Sequence, residues 1–356
     1  MPIVANTSLP AFNDLRAEGA TIIPLDVAVR QDIRELHIGL LNMMPDKALE
    51  ATERQFFRLV NESNQIAQFH MHPFTLAGLP RGEEAKAHIA RYYESFDQIR
   101  EQGLDALIIT GANVTQPDLT REPFWKPLRQ VVDWAYEHVT STLCSCLATH
   151  AVLQFRYGKK RYPLPGKRWG VYSHRVVAPR HPLVIGGNTR FDVPHSRFNQ
   201  IDRAQFEAAG LHVLVESAEA SVHLAVSEDG FRIVFFQGHP EYDTISLLKE
   251  YKRETLRFAA GEIDQYPPFP ENYFGAQVRA ILGEHELAVR AARAAKQHAP
   301  DMPETLIVPH LDNTWHDTAE AVINNWVGKI YQLTDIDRRK PFAANVDPNR
   351  PLCDWS

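Results

Sequence analysis

Two of the chain's three cysteines stand two residues apart in TSTLCSCLATHAVLQF, Thr140 to Phe155. The stretch begins β-prone and turns at once into a helical pattern, which places Cys146 at a strand-to-helix junction. The first N–H groups of a helix have no intrahelical partner, and that end of the dipole is positive. Both favour thiolate over thiol, and the same N–H groups can hold an oxyanion when sulfur attacks a carbonyl. This is the setting of a nucleophile elbow. Cys144 and Ala148 occupy the places usually held by its glycines. Two small residues packed in a buried strand end would explain the same stretch, so alone it leaves both readings open.

A second stretch carries the complementary chemistry. FFQGHPEYD, Phe235 to Asp243, puts His239 and Glu241 two residues apart after an apolar run. In extended backbone, residues i and i+2 point the same way. Glu241 can then orient the His239 ring while the other ring nitrogen faces a thiol, the arrangement of a Cys–His–acid triad. A capped strand end with a surface histidine is the plainer alternative. A metal set of Cys144, Cys146 and His150 is disfavoured, because Cys-x-Cys is not the usual zinc spacing. No metal is expected. Most of the 16 histidines, His70 and His72 among them, read as surface or satisfied core residues, and Cys353 as a bystander.

The elements that must position these groups follow a regular order. LHIGLLN (Leu36 to Asn42), IAQFHMHPF (Ile66 to Phe74), DALIITGAN (Asp105 to Asn113) and the stretch before Cys146 read as strands. Helical patterns follow each one, the first over DKALEATERQFFRLVNES with Asp46 as its N-cap. Four strand–helix repeats imply a parallel sheet covered by helices on both faces. Ligands of such sheets bind beyond the strands' carboxyl ends. Asn42 to Pro45, Gly111 to Thr115 and Cys144 to Cys146 should therefore share one rim. Residues 158–198 read as loops with short strands. LHVLVES, SVHLAVS and FRIVFFQGHPEY read as three strands, and Asp243 to Ala260 as a helix. Residues 276–298 read as an alanine-rich insertion whose Ala288, Ala291, Ala292 and Ala295 suit close helix packing or, equally, a plain surface helix. A helix over Thr318 to Leu333 precedes a polar tail, 335–356, and residues 1–34 read as an irregular lead-in. One domain over 1–356 is expected, because no Gly/Ser linker divides it.

The composition fits a folded soluble protein: 44% hydrophobic and 23% charged residues, with a net charge of -6 that gives no sign of nucleic-acid binding. No apolar run reaches membrane-spanning length, the N-terminus lacks the pattern of a signal peptide, and three cysteines make no disulfide framework. A cytoplasmic location is expected.

Cys146 with His239-Pro240-Glu241 on such a sheet resembles class I glutamine amidotransferases. A closer resemblance covers nearly the whole chain. LLNMMPDK, DALIITGA, FWKPLRQVVDWAYEHVTSTLCSCLA, GVYSH, VPHSRF, GHPEYD and NNWVGKIYQLT, in that order, are similar to the homoserine O-acyltransferase (homoserine transsuccinylase) family. The resemblance implies an amidotransferase-like, flavodoxin-like three-layer α/β fold with C-terminal helical additions. It implies acyl transfer from an acyl-CoA to the hydroxyl of L-homoserine in methionine synthesis, with acyl-CoA as co-substrate, no bound cofactor and a homodimer. It makes Cys146 the acyl-thioester nucleophile, His239 the general base and Glu241 its partner. It also implies that Lys167, Ser196 and Arg253 bind substrate, and that Lys47 is a possible further site residue.

The chain departs from the family pattern in places. Ser145-Cys146-Leu147-Ala148 replaces the usual isoleucine-cysteine-tryptophan-glycine, and the segment after Pro45 is slightly longer than usual. In the family, a residue in the loop after Gly111 goes with the donor, glycine with succinyl-CoA and glutamate with acetyl-CoA. Thr115 holds that place here. It has no negative charge to repel a succinyl carboxylate and is smaller than glutamate, so succinyl-CoA is the expected donor and acetyl-CoA the alternative. A Cys–His–Glu hydrolase or glutamine amidotransferase of the same fold is the second alternative.

Overall fold

The computed structural model describes residues 3–64, 67–352 and 355. Ile66, at the start of an expected strand, and Cys353 lie outside the described residues. Nine strands form one sheet: β1 (Glu35–Met43), β2 (Gln68–Phe74), β3 (Ala106–Ala112), β4 (Ser141–Ser145), β5 (Tyr162–Val176), β6 (Arg190–Gln200), β7 (His212–Ser217), β8 (Ser221–Val226) and β9 (Ile233–Phe236). Their order across the sheet is β2-β1-β3-β4-β9-β8-β7-β5-β6. The five strands from β2 to β9 pair in parallel, and the remaining pairs are antiparallel.

The parallel half is the part the apolar runs foretold. Leu36, Ile38, Leu40, Ala106 and Ile108 enter one core cluster, while Leu41, Met43, Leu107 and Ile109 enter another. Alternate residues of a strand point to opposite faces, so both faces of these strands are buried and the runs carry no polar alternation. The main helices are α1 (Asp46–Ser63), α2 (Trp125–His138), α3 (Leu147–Tyr157), α4 (Ser246–Ala259), α5 (Ala276–Ala294) and α6 (His316–Leu333). Phe56 and Val60 of α1 and Trp326 of α6 cover the first face; Leu128 of α2 and Ala151 of α3 cover the second. A third cluster joins Trp169 and Val171 of β5 to Leu247 and Tyr251 of α4 and Val278 and Leu282 of α5. No helix among the described residues is long and apolar enough to cross a membrane.

Several local expectations are corrected. Residues 158–198 are no set of loops: they hold the long antiparallel pair β5 and β6, which extends the sheet. Residues 3–34 are not irregular, since Pro10–Ala17 is a helix and Val4–Ala5 pairs in parallel with Ile23–Pro24. Its prolines begin or flank these elements instead of breaking them. Asp46 does not cap α1; Pro45 holds that place, and the Asp46 carboxylate instead accepts the Gly82 N–H at 2.7 Å. In α5 only Ala292 of the four expected alanines is buried, and the packing stripe is Val278, Leu282, His285, Val289 and Ala292. Bulkier apolar side chains bury more area than alanine, and here they set which face turns inward.

Candidate active site

The chain moves from β1 to β2 on one side and returns to β3 on the other, so the sheet's switch point lies between the carboxyl ends of β1 and β3. The expected rim forms there. A Cβ built on Gly111 would lie 3.6 Å from the Met44 sulfur and 4.0 Å from the Cys146 Cβ. Cys146 joins β4 to α3 with φ 50° and ψ -104°. Positive φ is uncommon outside glycine, and at functional sites it persists only where its surroundings over-determine it. Here they do. The Cys146 N–H donates to the Phe236 carbonyl at 2.8 Å, and the Thr149 hydroxyl is 2.8 Å from both the Cys144 and Phe236 carbonyl oxygens. Cys144 is fully buried, and burial pushes its thiol far up, which leaves it a packing residue. His150 is also buried, 3.0 Å from the Gln237 amide oxygen.

His239 arrives from the end of β9, close enough for its ring and the Cys146 sulfur to interact electrostatically. Its Nδ1 lies 2.8 Å from the Glu241 carboxylate. With the proton on Nδ1 given to Glu241, Nε2 is left for the sulfur, a tautomer assigned from the network. Burial alone would lower the His239 pKa; the charges of Cys146 and Glu241 outweigh it and hold the imidazolium well above its usual range. Tyr242 stacks on the ring, with centroids 4.3 Å apart and planes at 18°. Gly238 fits because a Cβ there would come within 2.8 Å of His195. His195 belongs to a buried chain. Arg197 donates to Nδ1 of His195, and Nε2 of His195 lies 3.1 Å from Nε2 of His174, whose Nδ1 is 2.8 Å from the Tyr172 carbonyl oxygen. Among the described residues no carboxylate pairs with Arg197. Burial lowers its pKa to about 10, while the Cys146 charge acts the other way.

Lys167 and Ser196 are brought together by a residue that sequence reasoning missed. Glu250 of α4 accepts from Lys167 Nζ at 2.8 Å, the Ser196 hydroxyl at 2.7 Å and the Tyr242 hydroxyl at 2.8 Å. Burial would raise this carboxyl; the Lys167 charge and the three hydrogen bonds hold it below its ordinary value. Lys167 also sits over the Trp169 ring, 4.1 Å from its centroid. A usable signal for Glu250 did exist: it lies one helical turn before Arg253. Arg253 itself is exposed and bonded to Glu254 at 3.2 Å, outside the Glu250 cluster. Lys47 is exposed on the first turn of α1. Thr115 lies in the loop after β3, where Glu122, also missed, fixes it: the Thr115 N–H donates to that carboxylate at 2.6 Å. Arg161 is electrostatically coupled to both Cys146 and Glu122, and burial lowers its pKa.

A parallel sheet with a cysteine at positive φ beyond β4, near a histidine that a glutamate orients, defines an α/β protein with a cysteine–histidine–glutamate group at the carboxyl edge of its sheet. Within that class the particular family is settled by sequence. The chain belongs to the homoserine O-succinyltransferase family, whose model matches residues 2–336. It is 70% identical to the homoserine O-succinyltransferase of Allochromatium vinosum over 352 residues, 99% of each chain. It is 68% identical to that of Nitrosococcus oceani, over 99% of this chain and 98% of the other. Among solved structures it is similar to a glutamine amidotransferase from Thermotoga maritima, with 12% identity and a TM-score of 0.45 over 83% of this chain and 98% of that one.

Proposed function

We propose that the chain transfers the succinyl group of succinyl-CoA to the hydroxyl of L-homoserine through a thioester on Cys146. The observation that carries the mechanism is the Cys146 sulfur, held at a positive φ and electrostatically coupled to a histidine that Glu241 orients. The sulfur attacks the thioester carbonyl, and the N–H of Leu147, the residue after the nucleophile, donates to the oxyanion in this reading. The carbon–sulfur bond to CoA breaks, and His239 gives its proton to the departing thiolate. Homoserine then enters, its hydroxyl proton passes to His239 Nε2, and the alkoxide displaces the Cys146 thiolate to leave the ester. The first step exchanges one thioester for another, and the second makes an ester and runs downhill.

The Glu250 cluster suits the amino acid's two charges. Glu250 offers a buried acceptor for its ammonium group, and Lys167 a cation for its carboxylate, adjoining His239 through Tyr242. Arg161, coupled to Cys146 and with no salt-bridge partner among the described residues, supports a donor that carries its own carboxylate. Incubation with succinyl-CoA alone should add one succinyl mass to the protein, and the modified peptide should contain Cys146. The Cys146→Ser variant should neither acquire that mass nor turn over. Wild-type turnover by that variant, or a mass placed on another residue, would exclude the mechanism.

A further inference from the structure

The carboxyl edge of the sheet does not hold all of its chemistry. At the opposite end, β1 and β2 run side by side with His37 directly against His70, and His72 two pairs further on. Glu35 and His37 share a face of β1, as His70 and His72 share a face of β2. One carboxylate oxygen of Glu35 lies 3.3 Å from His37 Nε2, and the other lies 3.7 Å from His70 Nε2. A ligand atom from each of the three falls within 4.8 Å of the other two.

Two observations separate this group from a plain polar cluster. The His70 side chain is only 7% exposed, and its Nε2 has no hydrogen-bond partner. A buried nitrogen without a partner is destabilising, so something should fill the space it faces. The proton count around His37 is the second. His72 Nδ1 lies 2.6 Å from Glu94, and His72 Nε2 lies 2.8 Å from His37 Nδ1. With one proton on His72, donated to Glu94, His37 must donate from Nδ1 to His72. Its Nε2 is then a bare lone pair facing the Glu35 carboxylate. Two acceptors at that distance repel unless a cation stands between them. A second proton on His72 reverses the chain and lets His37 donate to Glu35, yet it leaves His70 Nε2 bare.

From this arrangement we infer that Glu35, His37 and His70 form a site for a divalent transition cation of the zinc type. Imidazole and carboxylate are its usual ligands, at about 2.0–2.1 Å, which in a tetrahedron sets ligand atoms about 3.3 Å apart. The separations of 3.3 and 3.7 Å need little adjustment. His72 and Glu94 would orient His37 through its other nitrogen, as outer partners of metal-bound histidines do. Glu35, 40% exposed, leaves an entry path, and water would complete the shell. Arg338, close enough to act on both histidines, opposes the cation and sets a limit to its affinity. The site lies at the amino ends of the strands, far from Cys146, so its effect is on the sheet edge and not on acyl transfer.

The test uses the full chain carrying Cys146→Ala, which removes the reactive thiol as a competing ligand. Cobalt(II) should bind one per chain with the visible absorption of a tetrahedral site, zinc should displace it, and zinc should raise the thermal midpoint. His70→Ala should abolish the band, and Glu94→Gln should weaken binding roughly 10–100-fold. Glu35→Gln, at a partly exposed position that leaves the core intact, should weaken binding even if the histidine variant folds poorly. Glu320→Gln, in a separate histidine–carboxylate group formed by Glu62, His316 and Glu320, should change nothing. No band at saturating cobalt, or a band that survives in both the His70 and Glu35 variants, would overturn the assignment.

Discussion

Acidification from about pH 7.5 to about pH 5.5 should cost this protein most of its stability, because five histidines are buried neutral. His195, His223, His174, His181 and His150 are each no more than 3% exposed. Burial lowers all five, His150 to about 3, His174 and His181 to about 4, and His195 and His223 well below their ordinary value. A group whose folded pKa is depressed binds its proton in the unfolded chain first. Its stabilisation is therefore present above the unfolded pKa, near 6.5, and is lost as pH falls toward the folded value. Each such group loses about 1.4 kcal/mol across that interval, or about 7 kcal/mol for five. His239 has the opposite sign. Its raised folded pKa gives stability that is fully present below 6.5, and it returns about 1.4 kcal/mol over the same interval. The net loss from these six groups, about 5 kcal/mol, is comparable with the whole stability of many domains. Urea unfolding followed by fluorescence and circular dichroism at the two pH values measures it. The midpoint should fall steeply at constant slope, with about four protons taken up on unfolding near the acid end. A stability change under about 1 kcal/mol would show that these histidines are not held neutral.

Glu241→Gln should invert the His239 tautomer by donating to Nδ1, and kcat should fall by about three to four orders of magnitude; a tenfold loss or less, measured with succinyl-CoA and homoserine, would remove Glu241 from its role. Acyl transfer should also decline on the alkaline side as pH rises through the raised pKa of His239, and Glu241→Gln should move that limb to lower pH; an unmoved limb would assign it to another group. Glu250→Gln should raise KM for homoserine while leaving acylation of Cys146 by succinyl-CoA nearly unchanged, read as single-turnover CoA release; equal loss in both would make Glu250 a structural residue. Arg161→Met should raise KM for succinyl-CoA roughly 10–100-fold, the worth of a charge-assisted hydrogen bond, and leave KM for acetyl-CoA alone; equal effects on both donors would refute a carboxylate contact.

The half of the fold that the chain announces is the half whose strands are buried on both faces. LHIGLLN and DALIITGAN stand out because no solvent-facing position interrupts them. β5 and β6 do not stand out, for the opposite physical reason. YPLPGKRWGVYSHRV has much of its first half partly or fully exposed and pairs along most of its length only with β6. Its prolines, glycines and arginines therefore read as loop. The early helix Pro10–Ala17 was hidden by the same punctuation, since Pro10 begins it instead of breaking it. Loop-like composition marks the outer parts of the sheet as readily as true loops.

The site divides along a similar line. Cys146, His239 and Glu241 were legible because each pair is organised by local backbone: a strand-to-helix turn for the thiol, a spacing of two for the histidine and its acid. Lys167 and Ser196 are organised by register across β5 and β6, where Trp169 pairs with Ser196 and so sets Lys167 near it. No local pattern encodes that register, and only family likeness singled these two residues out. Glu250 escaped because its partners Lys167 and Ser196 lie far away in sequence; Glu122 and the Arg197–His195 pair lie near their partners but follow no recognisable local pattern. A buried charge needs a partner wherever the fold can supply one. The residues that complete such pairs are thus the last a sequence reveals and among the first that a structure shows. Arg253 marks the limit in the other direction. Family likeness picks it out, but its side chain points to solvent beside Glu254. For it to grip a substrate carboxylate, the guanidinium must leave that exposed partner. Such a pair is worth about 0–1 kcal/mol, so a bound carboxylate could draw Arg253 across at little cost.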